Sequence, residues 1–341
     1  MNKVKIGIIG AGRIGNVHAK SIQNNISNAE VVAISDVVAK AAEEAARENG
    51  IPVHTTDYRE LLNNPEIDAV LICSPTNTHA DIAIEAAGAG KHIFCEKPVD
   101  LTIEKILETK AAVQKNGVKM QIGFNRRFDH NHKRVRELAL AGELGDIHIV
   151  KITSRDPAPP PVGYIEGSGG MFIDMTIHDF DMAEFQAGSR VYEVYAHGAV
   201  LVDPAIGKAG DIDTAVIVLK FENGAMAVID NSRQAVYGYD QRVEVFGSKG
   251  MAAGRNDTPS TVEFANAERV SADKPLYFFL QRYMESFTAE VQSFVDAVQN
   301  DTPVEAGVGI EDGLRPVIIA MAALKSVKEN RPVRCEEIFK P

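Results

Sequence analysis

Between Phe172 and Phe185 the chain reads FIDMTIHDFDMAEF, one histidine and three aspartates among apolar residues. At the ~100° per residue of a helix, Asp174 and Asp181 fall about 40° and 60° to one side of His178, and Asp179 about 100° to the other. Asp174 and Asp181 are therefore expected on the histidine's face, which Phe185 extends as an apolar stripe. Three kinds of behaviour suit this spacing. A carboxylate that accepts from one imidazole N–H fixes the tautomer and leaves the other nitrogen as a base. The same donors can coordinate a metal. A solvated polar face, with Asp174 near the helix N-cap, needs no chemistry at all. The GSGG that precedes the segment (167–170) lets the chain bend before the helix begins.

A second chemical signature opens the chain. GAGRIG, Gly10 to Gly15, follows an apolar β-branched run and precedes a helical pattern. Gly10 allows a tight turn, Gly12 lets the backbone approach a pyrophosphate, and Gly15 permits close helix–strand packing. The helix N-terminus then faces the phosphates, with Arg13 and Ile14 in its first turn. Asp36, at the end of the next strand, is placed to accept from both ribose hydroxyls. A 2′-phosphate there would meet like charge, at about 4 kcal/mol for unit charges ~4 Å apart at an effective dielectric of ~20. NAD is thus expected over NADP, although Arg13 could partner a phosphate.

Three further polar clusters directly follow strand patterns: SPTNTH (74–79), EKPVD (96–100) and NRRFD (125–129). In an open α/β sheet the carboxyl ends of the strands line the ligand crevice. Ser74, Thr76, Asn77, His79, Glu96, Lys97 and Asn125 are accordingly expected near the cofactor, with Arg127 close by. Arg126–Arg127 also reads as a solvated dibasic helix start, and Lys97 taken alone as a solvated loop lysine.

The elements that must position these residues change character along the chain. VKIGII (4–9), VVAIS (31–35), AVLIC (69–73), HIFC (92–95) and KMQIGF (119–124) read as strands separated by Ala-, Glu- and Lys-rich helical segments. That is a βαβ series and predicts a mostly parallel sheet covered on both faces. PVHTTD suggests a short additional strand, with Asp57 capping a small helix. Beyond about residue 146, IHIVKIT, TAVIVLKF, GAMAVID and RVEVFG alternate apolar and polar residues as half-buried antiparallel strands do, and ENGA (222–225) joins two of them as a hairpin. Helices are expected within 280–300 and from Ile310 to Asn330. The division predicted is a nucleotide-binding domain over 1–125 and a second domain over 126–341, whose last helix can pack back on the first.

Lys and Arg total 36 against 47 Asp and Glu, a formal charge of −11, which argues against a nucleic-acid or anionic-membrane surface. The run PVIIAMAAL is far too short to span a bilayer. Cys73, Cys95 and Cys335 lack metal-binding spacing and read as free thiols. With the glycine loop so near the first residue, a cytoplasmic location is expected.

GIIGAGRIG, SPTNTHAD, CEKPVDLT and GFNRRFD together resemble the glucose–fructose oxidoreductase/inositol dehydrogenase (Gfo/Idh/MocA) superfamily across essentially the full chain. SRDPAPPPVGYIEGSGGMFIDMTIHDFDMA and YGYDQRVEVFGSKG resemble its inositol 2-dehydrogenase branch in particular. The resemblance implies an α/β Rossmann domain followed by an α+β domain on a large open, mainly antiparallel sheet, whose outer face builds homotetramers. It implies NAD as cofactor, a cyclic polyol as substrate and no metal. Lys97 would sit beside the nicotinamide, followed by a cis bond to Pro98, with Asp174 and His178 opposite. His178 would then take the substrate hydroxyl proton, Asp174 would orient it, and Lys97 would donate to the reacting oxygen. Arg127, Asp156, Asp181 and Tyr237 are the candidates for binding the polyol, though Asp156 also suits a loop cap and Tyr237 core packing. Another cyclic sugar as substrate, or a nucleotide-sensing regulator without turnover, are the alternatives.

Overall fold

The computed structural model of the chain describes residues 3–305 and 308–340. It divides into two units: one reaches from the N-terminus to Phe128 and includes Glu285–Val317, the other holds Asp129–Met284 and the chain from Ile318 onward.

The first unit is built on strands β1 (Val4–Ile9), β2 (Ala29–Ser35), β3 (Val53–Thr55), β4 (Ala69–Ile72), β5 (His92–Cys95) and β6 (Met120–Ile122). They form one sheet in the order β3-β2-β1-β4-β5-β6, all pairs parallel. Every residue of β4 is buried, as expected of a strand covered on both faces. The short extra strand is β3, and the Asp57 carboxylate accepts from the Arg59 amide at the head of the next helix. Val291, Phe294 and Val295 of the helix Met284–Gln299 enter the same core as Ile6, Ile8, Leu71 and Phe94. Their three-to-four-residue spacing makes one apolar stripe, which is why a helix so late in sequence belongs to this unit.

The second unit carries β7 (Ile147–Arg155), β8 (Val191–Ala199), β9 (Thr214–Phe221), β10 (Met226–Ser232), β11 (Asp240–Gly247), β12 (Gly250–Gly254), the small hairpin β13 (Glu263–Ala265) and β14 (Val270–Ala272), and β15 (Val333–Arg334). Seven of these make a sheet in the order β12-β11-β7-β10-β9-β8-β15. All its pairs are antiparallel except β7 with β10, whose parallel register runs from Ile149–Met226 to Arg155–Ser232. Ala215, Ile217, Leu219 and Phe221 of β9 point to the covered face, and the helix Ile177–Ala187 packs on this sheet beside β7. The turn after β9 is the expected hairpin, with Gly224 at φ +88°. No helix among the described residues is long and apolar enough to cross a membrane.

Candidate active site

The glycine loop shows why each glycine is needed. Gly10 has φ +105°, and a Cβ there would lie 2.6 Å from the Cys73 backbone. A Cβ on Gly15 would stand 2.0 Å from the Gly10 carbonyl oxygen, so the helix Arg13–Asn25 could not sit so close to the strand end. Gly12 differs: it caps this helix with extended backbone and no side-chain bond, and a Cβ on it would meet nothing within 4 Å. The first-turn amides are therefore left for an external acceptor, with no side chain between them and a phosphate. Arg13 and Ile14 lie in that turn, exposed and half-buried respectively.

Asp36 folds back on the same loop. Its Oδ2 accepts from the Ala11 amide at 2.9 Å and its Oδ1 from the Val38 amide at 2.9 Å. Each carboxylate oxygen retains a lone pair for a ribose hydroxyl. Close-packed glycines, an uncapped helix N-terminus and an anchored acid fit NAD as the resident cofactor.

The loops after β4 and β5 are tied together by His79. Its Nε2 lies 2.7 Å from the Ser74 carbonyl oxygen and its Nδ1 2.8 Å from that of Pro98, with the ring only 2% exposed. Both ring nitrogens of His79 are thus taken up by these loops, a role the sequence did not suggest. The Ser74 hydroxyl pairs with that of Thr78 at 2.7 Å, while Thr76 and Asn77 form the intervening single turn, half-buried and exposed. The Lys97–Pro98 bond is cis. Glu96 turns inward, its Oε1 2.7 Å from Nε2 of the fully buried His18, whose ring packs edge-on against Phe94 and Phe287. Glu290, also fully buried, brings a third donor within 4.8 Å of these two, and burial, then the charge of Glu96, pushes its carboxyl well above the usual range. The 2.7 Å contact between His18 and Glu96 is a hydrogen-bond length, whereas neither carboxylate oxygen of Glu290 has a hydrogen-bond partner among the described residues. Both neighbours of Lys97 in sequence are thereby pinned by buried histidines, and neither histidine carried that signal in its motif. After β6, Asn125 donates to the Ser286 hydroxyl at 3.3 Å and is buried, and Arg127 lies 3.4 Å from Asp312. Arg127 is only 9% exposed, so the solvated dibasic reading does not hold.

In the second unit the segment 172–185 is not one helix. Met171–Asp174 and Ile177–Ala187 are separate helices joined by the turn Met175–Thr176. The Thr176 amide donates to the Met171 carbonyl, one residue further back than an α-helix allows, and its hydroxyl donates to Asn231 Oδ1 at 2.7 Å. That wider turn interrupts the helical wheel, so the angular offset expected between Asp174 and His178 does not apply. A simpler regularity replaces it. Every residue from Met171 to Ala183 is buried except Asp174 and His178, which are both half-buried. Asp181, expected on the same face, is 1% exposed, and Asp179 is fully buried, accepting from Asn231 Nδ2 at 2.9 Å.

Asp174 has partners the sequence did not announce. Its Oδ1 accepts from the Tyr164 hydroxyl at 2.9 Å, and its Oδ2 from Arg233 Nη1 at 3.3 Å. Arg233 is 1% exposed, and its Nη2 lies 3.6 Å from Asp211 Oδ2. Asp211 Oδ1 accepts from the Met171 amide, beside Gly170, where a Cβ would stand 2.9 Å from that oxygen. The one cue available was position, since Arg233 lies three residues beyond the strand pattern GAMAVID. The parallel β7–β10 register brings Asp156 to the same end of the sheet, its amide donating to the Ser232 carbonyl and its own carbonyl accepting from Ala235. Tyr237 is 38% exposed, not a core residue, and its hydroxyl donates to Asp240 at 2.6 Å and accepts from Arg155 at 3.1 Å. Burial and the bond to Asp240 push that phenol up, keeping it a neutral donor. Cys73, Cys95 and Cys335 are free thiols.

These features agree with what the chain is similar to. Residues 4–124 match the model of an oxidoreductase family with an NAD-binding Rossmann fold, and residues 132–253 that of the GFO/IDH/MocA C-terminal domain. The uncharacterized oxidoreductase YrbE of Bacillus subtilis is 52% identical over 340 residues, covering 99% of this chain and 98% of its own. The myo-inositol 2-dehydrogenase of Thermotoga maritima is 48% identical over 336 residues, with 98% and 100% covered. The crystal structure of scyllo-inositol dehydrogenase from Lactobacillus casei with bound NAD(H) and scyllo-inositol superposes with a TM-score of 0.91 at 32% identity, covering 98% of this chain and 100% of that one. With a glycine loop, an acid and a Rossmann strand order that all suit NAD, the chain belongs to the Gfo/Idh/MocA family as an NAD-dependent oxidoreductase.

Proposed function

We propose that this protein oxidises one ring hydroxyl of an inositol to the ketone, with His178 as the base, Asp174 as its charged neighbour and Lys97 as the donor to the reacting oxygen. The observation that carries the reading is the exposure of Asp174 and His178 alone on an otherwise buried segment. Two polar groups spared from burial on one otherwise buried segment support a ligand-facing acid–base pair. The inositol dehydrogenases among the relatives support the choice of polyol.

NAD⁺, when bound, supplies the acceptor at C4 of its nicotinamide, and the glycine loop and Asp36 would hold it. In this reading the His178 imidazole takes the proton of the substrate hydroxyl as the carbon–hydrogen bond breaks. The Lys97 ammonium donates a hydrogen bond to the same oxygen and stabilises its developing negative charge. Asp156, Arg127, Asp181 and Tyr237 remain candidates for the other hydroxyls, with Asp181 acting through the helix because its carboxylate is buried. In the same reading the chain assembles as a homotetramer through the outer face of the seven-stranded sheet, where Val216, Met226, Phe246 and Met251 are 45–52% exposed.

The test is direct. Purified protein is incubated with NAD⁺ or NADP⁺ and a panel of inositol isomers, pyranoses and deoxy-keto-sugars, following reduced cofactor by absorbance. Turnover of an inositol is expected, with a loss of at least about a hundredfold for Lys97→Met and for His178→Asn, the latter at unchanged NAD⁺ affinity. Activity confined to pyranoses overturns the substrate. Tight NAD⁺ binding without turnover of any compound overturns the enzyme in favour of a sensor.

A further inference from the structure

The second unit holds a buried arginine to which the proposed chemistry assigns no part. Arg233, 1% exposed, stands between two carboxylates, Asp174 at 3.3 Å and Asp211 at 3.6 Å. Tyr164 donates to the other oxygen of Asp174. Arg233 Nε and Nη2 have no hydrogen-bond partner among the described residues, so the guanidinium is held more by charge than by directed bonds. Other charged groups nearby are already committed. Asp213, whose backbone carbonyl accepts from the Arg233 amide, spends its carboxylate on the amides of Leu201, Val202 and Asp203. Asp230 pairs with Arg155, and Asp179 accepts from Asn231.

We infer that Arg233 is a positioning residue for the reaction: it fixes the Asp174 carboxylate and balances its charge, and so sets how strongly Asp174 acts on His178. The inference rests on the proposed roles of Asp174 and His178. A bare carboxylate beside a base stabilises the imidazolium and disables it at neutral pH. A carboxylate already matched to a buried cation can steer the ring without that penalty. Arg233, near Asp174 in space but 59 residues away in sequence, allows both. Tyr164 shares the positioning without sharing the charge.

The experiment compares the pH profile of kcat/KM, with NAD⁺ and the inositol the wild-type enzyme turns over, for Arg233→Met, Arg233→Lys and Tyr164→Phe. Removing the cation should move the acid limb of Arg233→Met to higher pH by about one unit, so that activity on the acid side falls about tenfold beyond any loss on the plateau. Arg233→Lys should restore the limb, and Tyr164→Phe should lower kcat without moving it. NAD⁺ affinity, read by fluorescence titration, should stay at the wild-type value in all three. If Arg233→Met does not fold because Asp174 and Asp211 are left as facing like charges, Arg233→Met with Asp211→Asn relieves that conflict and should show the same displaced limb. An acid limb that stays in place while activity falls equally at every pH overturns the inference and leaves Arg233 a packing residue. Near-normal turnover in His178→Asn instead overturns the base assignment itself, whatever Arg233→Met does.

Discussion

Gly12 and Gly15, three residues apart in one loop, should fail in opposite ways when each is replaced by alanine. At Gly15 the added methyl would stand 2.0 Å from the Gly10 carbonyl oxygen, where ordinary contact starts at 3.4 Å. The loop and the helix Arg13–Asn25 must then part by 1.4 Å, the difference of those distances, and the obstructing group is backbone that no rotamer change can clear. Overpacking of this kind costs about 3 kcal/mol, the upper part of the usual range. For a unit of this size that lowers the melting temperature by about 6–12 °C. At Gly12 the methyl meets nothing within 4 Å, and φ −73°, ψ −165° suits any L-residue. Gly12→Ala should therefore melt within about 0.5 kcal/mol of wild type. Its methyl instead occupies the space through which the backbone approaches the pyrophosphate, so NAD⁺ should bind at least about tenfold more weakly. Thermal melts with and without NAD⁺ separate the two. Wild type at ~100 times Kd gains about 2.7 kcal/mol from ligand, and Gly12→Ala at the same concentration should gain clearly less while its unliganded melt is unchanged. A Gly15→Ala protein with wild-type stability, or a Gly12→Ala protein with the full NAD⁺ gain, would refute the packing argument.

Two further outcomes follow from single groups. Asp36→Ser should shift the NAD⁺/NADP⁺ preference toward NADP⁺ by tenfold or more, since it removes the charge that opposes a 2′-phosphate; an unchanged ratio means that Asp36 does not face the ribose. Burial, then the charge of Glu96, raises the pKa of Glu290 in the folded state. The unfolded chain ionises that carboxyl near pH ~4.3, so the protonated form's contribution is complete below that pH and is lost as pH climbs toward the raised value. The stability of Glu290→Gln minus that of wild type, measured by denaturant titration from pH 5 to 9, should therefore grow with pH. A flat difference would mean that Glu290 is already ionised in the folded protein.

Much of the first unit was readable because its signals are local. β1 and β5 occupy the residues that their β-branched runs predicted, and the glycine spacing located the turn, the helix start and the cofactor end of the sheet. β9 and its hairpin to β10 were equally plain from alternation and ENGA. β8 alternates almost as clearly but stood between a helix and a glycine-rich loop and was not picked out. Its edge partner β15 has two residues, too few for any period to register. The site followed the same rule. Asp174 and His178 stood out as polar residues in an apolar run, whereas Arg233, Tyr164, His18 and Glu290 each looked like an ordinary polar residue of a strand end or helix.

The sequence by itself therefore determined the class of the fold, the nucleotide loop, the preference for NAD and the pair of residues proposed for proton transfer, because periodicity, glycine sterics and charge type act over a few neighbouring residues. Tertiary structure alone decided that Thr176 breaks the helix between Asp174 and His178, that β10 runs parallel to β7, and that Arg233 and Asp211 flank Asp174. Those outcomes depend on which buried charge finds which counter-charge once the sheet closes. That pairing is set by burial and distance in space and leaves no spacing along the chain to read.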